Sequence, residues 1–210
     1  MQYRFITIEG NIGAGKTTLA CLLHKHYQGR LILEEFTDNP FLAKFYENPK
    51  QYAFPMELFF MAKRYKQMKE LISSKDLFNS ITVADYLFTK SLLFAKVNLS
   101  ADEFKLYQQL FDIVHQQVIQ PDILIYLHAP VQQLLKNIHD RKRAYEQQIE
   151  DSYLINIQDA YHQYIKQHNI KTLLVDATQA DFTNNPEHLK AITDALEKDY
   201  DHGQHIILLP

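Results

Sequence analysis

The sequence predicts a doubly wound α/β fold, a parallel sheet of five strands with helices on both faces. Short runs of β-branched and apolar residues recur along the chain, and longer amphipathic stretches separate them. The runs are apolar throughout rather than alternating, as strands buried on both faces are. Phe5-Ile6-Thr7-Ile8 is the first strand and ends at Gly10. Thr17 to Tyr27 follows as a helix with Leu19, Leu22 and Leu23 on one face. Leu31-Ile32-Leu33 is the second strand, and Phe54 to Leu71 is a long apolar-rich helix. Ile81-Thr82-Val83-Ala84 is the third strand, followed by a helix over Asp102 to Val118. Ile123 to Leu127 is the fourth, with a helix over Val131 to His139, and Thr172 to Val175 is the fifth. The tail from Gln204 to Leu209 reads either as an added edge strand or as a subunit contact.

With 210 residues, 46% of them hydrophobic, the chain is expected to form one domain over residues 1–210. Lysine and arginine number 22 against 25 aspartates and glutamates, a net charge of −3. That balance argues against a nucleic-acid partner, which selects a basic face. Cys21 is the single cysteine, so no internal disulfide forms and a reducing, cytoplasmic setting is expected. No stretch approaches the ~18 apolar residues that span a bilayer, and no membrane partner is expected. The first strand starts too early to leave room for a signal peptide.

The chain has 5 glycines, and Gly10, Gly13 and Gly15 crowd into one short segment. Gly10-Asn11-Ile12-Gly13-Ala14-Gly15-Lys16-Thr17 matches the pattern G-x-x-x-x-G-K-[ST]. Glycines let the backbone curl so that several N–H groups converge on phosphate oxygens. The helix that begins at this point, with Thr18 in its first turn, adds the positive end of its dipole. Lys16 would place an ammonium beside the β- and γ-phosphates, and the Thr17 hydroxyl would join a Mg²⁺ shell. The motif implies ATP or GTP with Mg²⁺ and leaves the acceptor open.

Ligands of a parallel sheet gather beyond the strand carboxyl ends, so residues just after each strand are candidates. Glu34 and Glu35 follow the second strand, and a carboxylate there could take the proton of an acceptor hydroxyl. Asp85 follows the third strand as a Mg²⁺ partner, a base or the cap of a following helix. Asp140-Arg141-Lys142-Arg143 is the densest basic cluster. It suits either a solvated face or a lid, over about residues 140–150, whose arginines close on the moving phosphate.

Several blocks in order resemble the bacterial deoxyribonucleoside kinases, of the deoxyadenosine/deoxyguanosine kinase branch of the P-loop kinases. They are Gly10 to Thr18, Glu34 to Phe41, Phe45 to Pro49, Phe54 to Arg64, and Arg141 to Arg143 with Glu146. The resemblance implies ATP-dependent, Mg²⁺-assisted phosphorylation of a deoxynucleoside 5′-hydroxyl by a homodimer. It implies Glu35 as the proton acceptor, and Tyr46 with Glu146 on the sugar 3′-hydroxyl. It further implies Arg64 facing the base, Arg141 and Arg143 on the phosphates, and Asp85 near the Mg²⁺. The nucleoside would lie between Phe41, Phe45, Met56 and Phe60.

Two positions depart from the family's pattern. Tyr86 stands where the family has an arginine after the third strand, and Lys90 is a candidate substitute cation. Glu57 stands where the family has a glutamine that bonds the base. A carboxylate only accepts hydrogen bonds, so Glu57 and Arg64 either read a guanine edge or pair with each other. Two rivals stay open: a nucleoside monophosphate kinase, and a weakly active nucleotide-binding subunit.

Overall fold

The computed structural model describes residues 2–73 and 81–210. Six parallel strands form one sheet in the order β2-β3-β1-β4-β5-β6. They are β1 (Phe5–Gly10), β2 (Arg30–Ile32), β3 (Thr82–Ala84), β4 (Ile123–His128), β5 (Lys171–Asp176) and β6 (Gly203–Ile207). The helices are α1 (Lys16–Tyr27), α2 (Leu42–Glu47), α3 (Pro49–Ser73), α4 (Lys90–Asn98) and α5 (Ala101–His115). After β4 come α6 (Val131–Asp140), α7 (Asp151–Gln167) and α8 (Pro186–Leu196). The doubly wound architecture is the expected one, and the tail supplies a sixth strand, β6, parallel to β5 with Leu173 opposite His205.

Strand alternation sorts the core. Ile123, Ile125 and Leu127 of β4 pack on one face with Leu19 and Leu23 of α1 and Ile192 and Leu196 of α8. Leu124 and Tyr126 pack on the other with Leu93 and Phe94 of α4 and Ile157 and Tyr161 of α7. Every residue of β1 is buried, which fixes the strand that carries the glycine loop.

Helix α3 begins at Pro49 rather than Phe54, with proline suited to a first helical position. Pro55 removes one backbone bond within it, yet Ala53, Met56, Phe60 and Met61 are buried and carry the helix through. Helix α5 opens on a capping box between Ser100 and Glu103. At α8 the Asn185 side chain accepts from the Glu187 N–H at 3.1 Å, with Pro186 next in line. Asn185→Ala is expected to cost about 1 kcal/mol and to lower Tm by roughly 2–4 °C in a thermal melt.

Candidate active site

The loop after β1 is held from beneath. Gly10 has φ +148°, and a Cβ there would stand 2.4 Å from the Leu127 carbonyl oxygen. Gly15, with φ +87°, turns the chain into α1. Asn11 donates to the Leu154 carbonyl at 2.7 Å, and Asn137 donates to the Gly13 carbonyl at 2.9 Å, tying the loop to α7 and α6. Ile12 and Ala14 complete the loop, and Lys16, Thr17 and Thr18 form the first turn of α1. The Lys16 ammonium curls back to the carbonyls of Gly10 (2.9 Å) and Asn11 (2.8 Å). Burial, with Lys90 nearby, brings it down to about 8.

Glu9, just before the loop, carries no motif signal and sequence reasoning passed over it. Its carboxyl accepts from the Leu87 N–H (2.7 Å) and the Tyr161 hydroxyl (2.7 Å), which joins the loop's root to the segment after β3 and to α7. Complete burial pushes its pKa up, against the pull of Lys90 and Lys16.

Asp85 is buried and caps no helix. It accepts from the Thr17 hydroxyl at 2.6 Å and from the Glu34 N–H at 2.7 Å. A hydroxyl and a carboxylate side by side are the hard oxygen donors that Mg²⁺ takes. Among the described residues no group of three or more His, Cys, Asp or Glu could hold a metal alone. A Mg²⁺ ion at Thr17 and Asp85 therefore fits as one that shares its shell with phosphate oxygens and water.

The two glutamates after β2 part company. Glu34 lines the cavity with its side chain 18% exposed, while Glu35 is 48% exposed and lies outside. Glu35 pairs with Lys63 at 3.2 Å and accepts from Gln67 at 3.2 Å, both on α3. The cavity position expected for Glu35 is thus taken by Glu34. Consecutive side chains leaving a strand point to opposite sides, and α3 draws the second one out. Glu34 accepts from Lys90 at 2.7 Å, from Arg64 Nε at 2.9 Å and from a terminal Arg64 nitrogen. Burial opposes its charge, but Lys90 and Arg64 outweigh that and hold the carboxyl far below the usual range.

The other expected residues take different places. Arg64 lines the cavity, as expected, and its guanidinium donates to Glu34 and to the Ser91 hydroxyl (2.7 Å). Tyr86 is buried off the cavity and donates to Gln67 at 2.7 Å. Lys90, the candidate substitute cation, is buried and pairs with Glu34 at 2.7 Å. Phe41 starts α2 and packs behind the cavity wall rather than forming it.

Phe45, Met56, Phe60 and Phe94 make the apolar walls, and Tyr46, Glu57 and Glu146 bring polar groups to them. Arg141 and Arg143 approach from the turn after α6 and reach Glu146 at 2.5 and 3.4 Å. Arg143 also lies 4.0 Å over the Phe36 ring. Glu57 and Arg64 do not pair: one Glu57 oxygen accepts from Asn98 at 2.6 Å instead. Asn98 ends α4, a helix buried over most of its length, and nothing in its spacing pointed to the site.

One cavity thus joins a phosphate loop, a paired carboxylate and an apolar slot. A family model described as deoxynucleoside kinase matches residues 6–200. The chain belongs to the deoxynucleoside kinase family. A deoxyguanosine kinase of Bacillus subtilis is 36% identical over 193 residues, covering 90% of this chain and 93% of that one. A deoxyadenosine/deoxycytidine kinase of the same organism is 29% identical, covering 91% and 90%. A solved deoxyadenosine kinase of M. mycoides with bound dATP superimposes with a TM-score of 0.81 at 23% identity, over 93% of this chain and all (100%) of that one. This deoxynucleoside kinase shares that fold, a parallel sheet flanked by helices.

Proposed function

We propose that this deoxynucleoside kinase transfers the γ-phosphoryl group of ATP to the 5′-hydroxyl of a purine deoxynucleoside, with Glu34 receiving the proton. The observation that carries the reading is the place of Glu34, at the junction between the glycine loop and the apolar slot. The triphosphate lies along residues 10–18 with Lys16 on its outer phosphates, and the base lies between Phe45, Met56, Phe60 and Phe94. Thr17 and Asp85 would hold Mg²⁺, which neutralises charge on the phosphate oxygens. Lys90 and Arg64 keep Glu34 ionised and stand beside the reacting oxygen as fixed positive charge.

Residues 140–150 act as the lid of a single domain spanning 1–210. Arg141 and Arg143 would leave Glu146 for the phosphates, freeing Glu146 to join Tyr46 on the sugar 3′-hydroxyl. The purine assignment is supported by the deoxyguanosine kinase relative. A homodimer is part of the same reading: α5 exposes Leu106, Leu110 and Ile113 along one stripe. So is a cytoplasmic setting, in keeping with a lone cysteine, and no helix among the described residues is long and apolar enough to cross a membrane.

The four deoxynucleosides and their monophosphates, offered in parallel with ATP and Mg²⁺ in a coupled ADP assay, test this. Turnover of purine deoxynucleosides and none of monophosphates is expected. Turnover of monophosphates alone would overturn it.

A further inference from the structure

The tail strand β6 has two faces, and only one is covered. Ile207 and Leu209 pack into the core that Ile192 and Leu196 of α8 complete. Ile206 and Leu208 alternate with them on the other face and are 74% and 77% exposed. Between that bare face and α7 runs a cleft of about 440 Å³. Tyr126 and His128 of β4, Asp176 of β5, Ile206 of β6, and His162 and Lys166 of α7 line it. Among the described residues it shares no lining side chain with the cavity at the glycine loop.

The polar groups of this cleft are mostly donors. The Gln158 amide nitrogen bonds both His128 Nδ1 (2.8 Å) and the Ala129 carbonyl (3.2 Å), so Nδ1 accepts and the ring proton sits on Nε2. The His128 and His162 rings lie 5.4 Å apart. His162 and Lys166 are one turn apart on α7 and share its exposed face. Tyr126 is 1% exposed, and its hydroxyl finds no hydrogen-bond partner. A buried hydroxyl left unpaired is costly, and it is accounted for when an outside group supplies the bond. Asp176 is the one acid on the lining, and it accepts from the Thr178 N–H (3.0 Å) and hydroxyl.

We propose that this cleft is a second binding site, for a small organic anion: a carboxylate or phosphate carried on a flat apolar body. The charged head lies among His128, His162 and Lys166, with the Tyr126 hydroxyl as a further donor. The body lies on Leu174 and Ile206. Two imidazoles and an ammonium against one carboxylate set the sign of the head. An uncharged occupant would leave these donors unpaired, and a bare ion would leave the apolar floor in water. The site does not rest on the kinase reading above.

The charge state of His162 reports on occupancy. Burial and His128 hold its imidazole below the usual range, while Asp159, one turn back on α7, pulls it up. Tyr126, Lys166 and Asp176 are the other ionisable groups of the lining. An anion bound beside the ring favours the imidazolium and raises the His162 pKa.

Proton NMR of the histidine rings in the whole chain reads this directly, with signals assigned from His128→Gln and His162→Gln. Naphthoate and naphthyl phosphate are the probes. Acetate and inorganic phosphate are heads without a body, and naphthalenemethanol is a body without a charge. Saturable shifts of the His128 and His162 signals by a naphthyl anion are expected, with a Kd of about 1 mM or below. The His162 pKa should rise by about half a pH unit or more. Bare heads and the neutral alcohol should bind ~10-fold or more weakly. The tighter of the two naphthyl anions identifies the head group. Ile206→Glu sets an acid at an exposed position of the cleft and should weaken binding by ~10-fold or more. Tyr126→Phe should weaken it by ~10-fold and leave the urea midpoint unchanged or higher, because no bond within the protein is lost.

No response of His128 and His162 to either naphthyl anion overturns the proposal, as does an equal response to the alcohol. So do signals that move with protein concentration and not with probe, since a second copy of the chain would then cover the face. The wild-type titration needs no variant, so a misfolded variant does not shelter it. Deoxynucleoside turnover, present or absent, leaves this titration unchanged, and the two readings fail separately.

Discussion

Glu34→Gln is expected to lower kcat by ~100-fold or more, and Glu35→Gln to leave it within roughly threefold. The two residues are adjacent in sequence and chemically alike, so the contrast isolates position. Glu34 lies in the cavity against Lys90 and Arg64, and Glu35 is tied to Lys63 and Gln67 outside it. Glutamine keeps the shape of Glu34 and can still accept one hydrogen bond, but it cannot take a proton or balance two buried cations. Removing one partner of a buried ion pair costs about 3–5 kcal/mol, so part of any loss could come from folding. Urea unfolding of both variants separates the two effects. A catalytic role requires that kcat fall while the folded Glu34→Gln protein still binds ATP. Normal turnover in Glu34→Gln with a large loss in Glu35→Gln would return the proton to Glu35.

This pair also shows where sequence reading stops. The glycine loop was legible because its chemistry demands residue types at fixed spacing, and β1 announced itself as a fully buried run. Asp85 was legible from its place after a strand. Which of two consecutive glutamates faces inward depends on the packing of α3, whose Lys63 and Gln67 capture Glu35 from far along the chain. Arg64 was correctly placed at the cavity, but its partner is set by the same distant packing. Helix α4 escaped notice because residues that line it are buried nearly all round, Lys90 and Ser91 included, and periodicity carries no contrast there. Asn98 was hidden with it. By contrast α8 carried a readable start, Asn185 then Pro186 then Glu187, and its polar-rich surroundings masked it.

Gly10→Ala should be the most damaging single methyl addition in the loop. Its φ of +148° is a backbone region that side chains rarely adopt, and the added carbon would meet the Leu127 carbonyl oxygen at 2.4 Å and the Ala14 side chain at 3.1 Å. That carbonyl belongs to β4, which is paired on one edge with β1 and on the other with β5. It cannot withdraw without breaking a ladder, so the loop must lift instead. Strain and overpacking together put the cost at about 2–5 kcal/mol, a large share of the roughly 5–15 kcal/mol that holds a domain folded. A loop displaced by even 1 Å loses convergence of its N–H groups on the triphosphate, and misplacements of that size cost about 100-fold in activity. Gly15→Ala is the control. Its φ is also positive, but nothing lies within 4 Å of the new carbon. Only backbone strain of about 1–2 kcal/mol is expected there. Urea unfolding and calorimetric ATP binding on both variants should therefore rank Gly10→Ala well below Gly15→Ala. Equal losses would mean that backbone conformation, rather than the contact with β4, sets the shape of the phosphate loop.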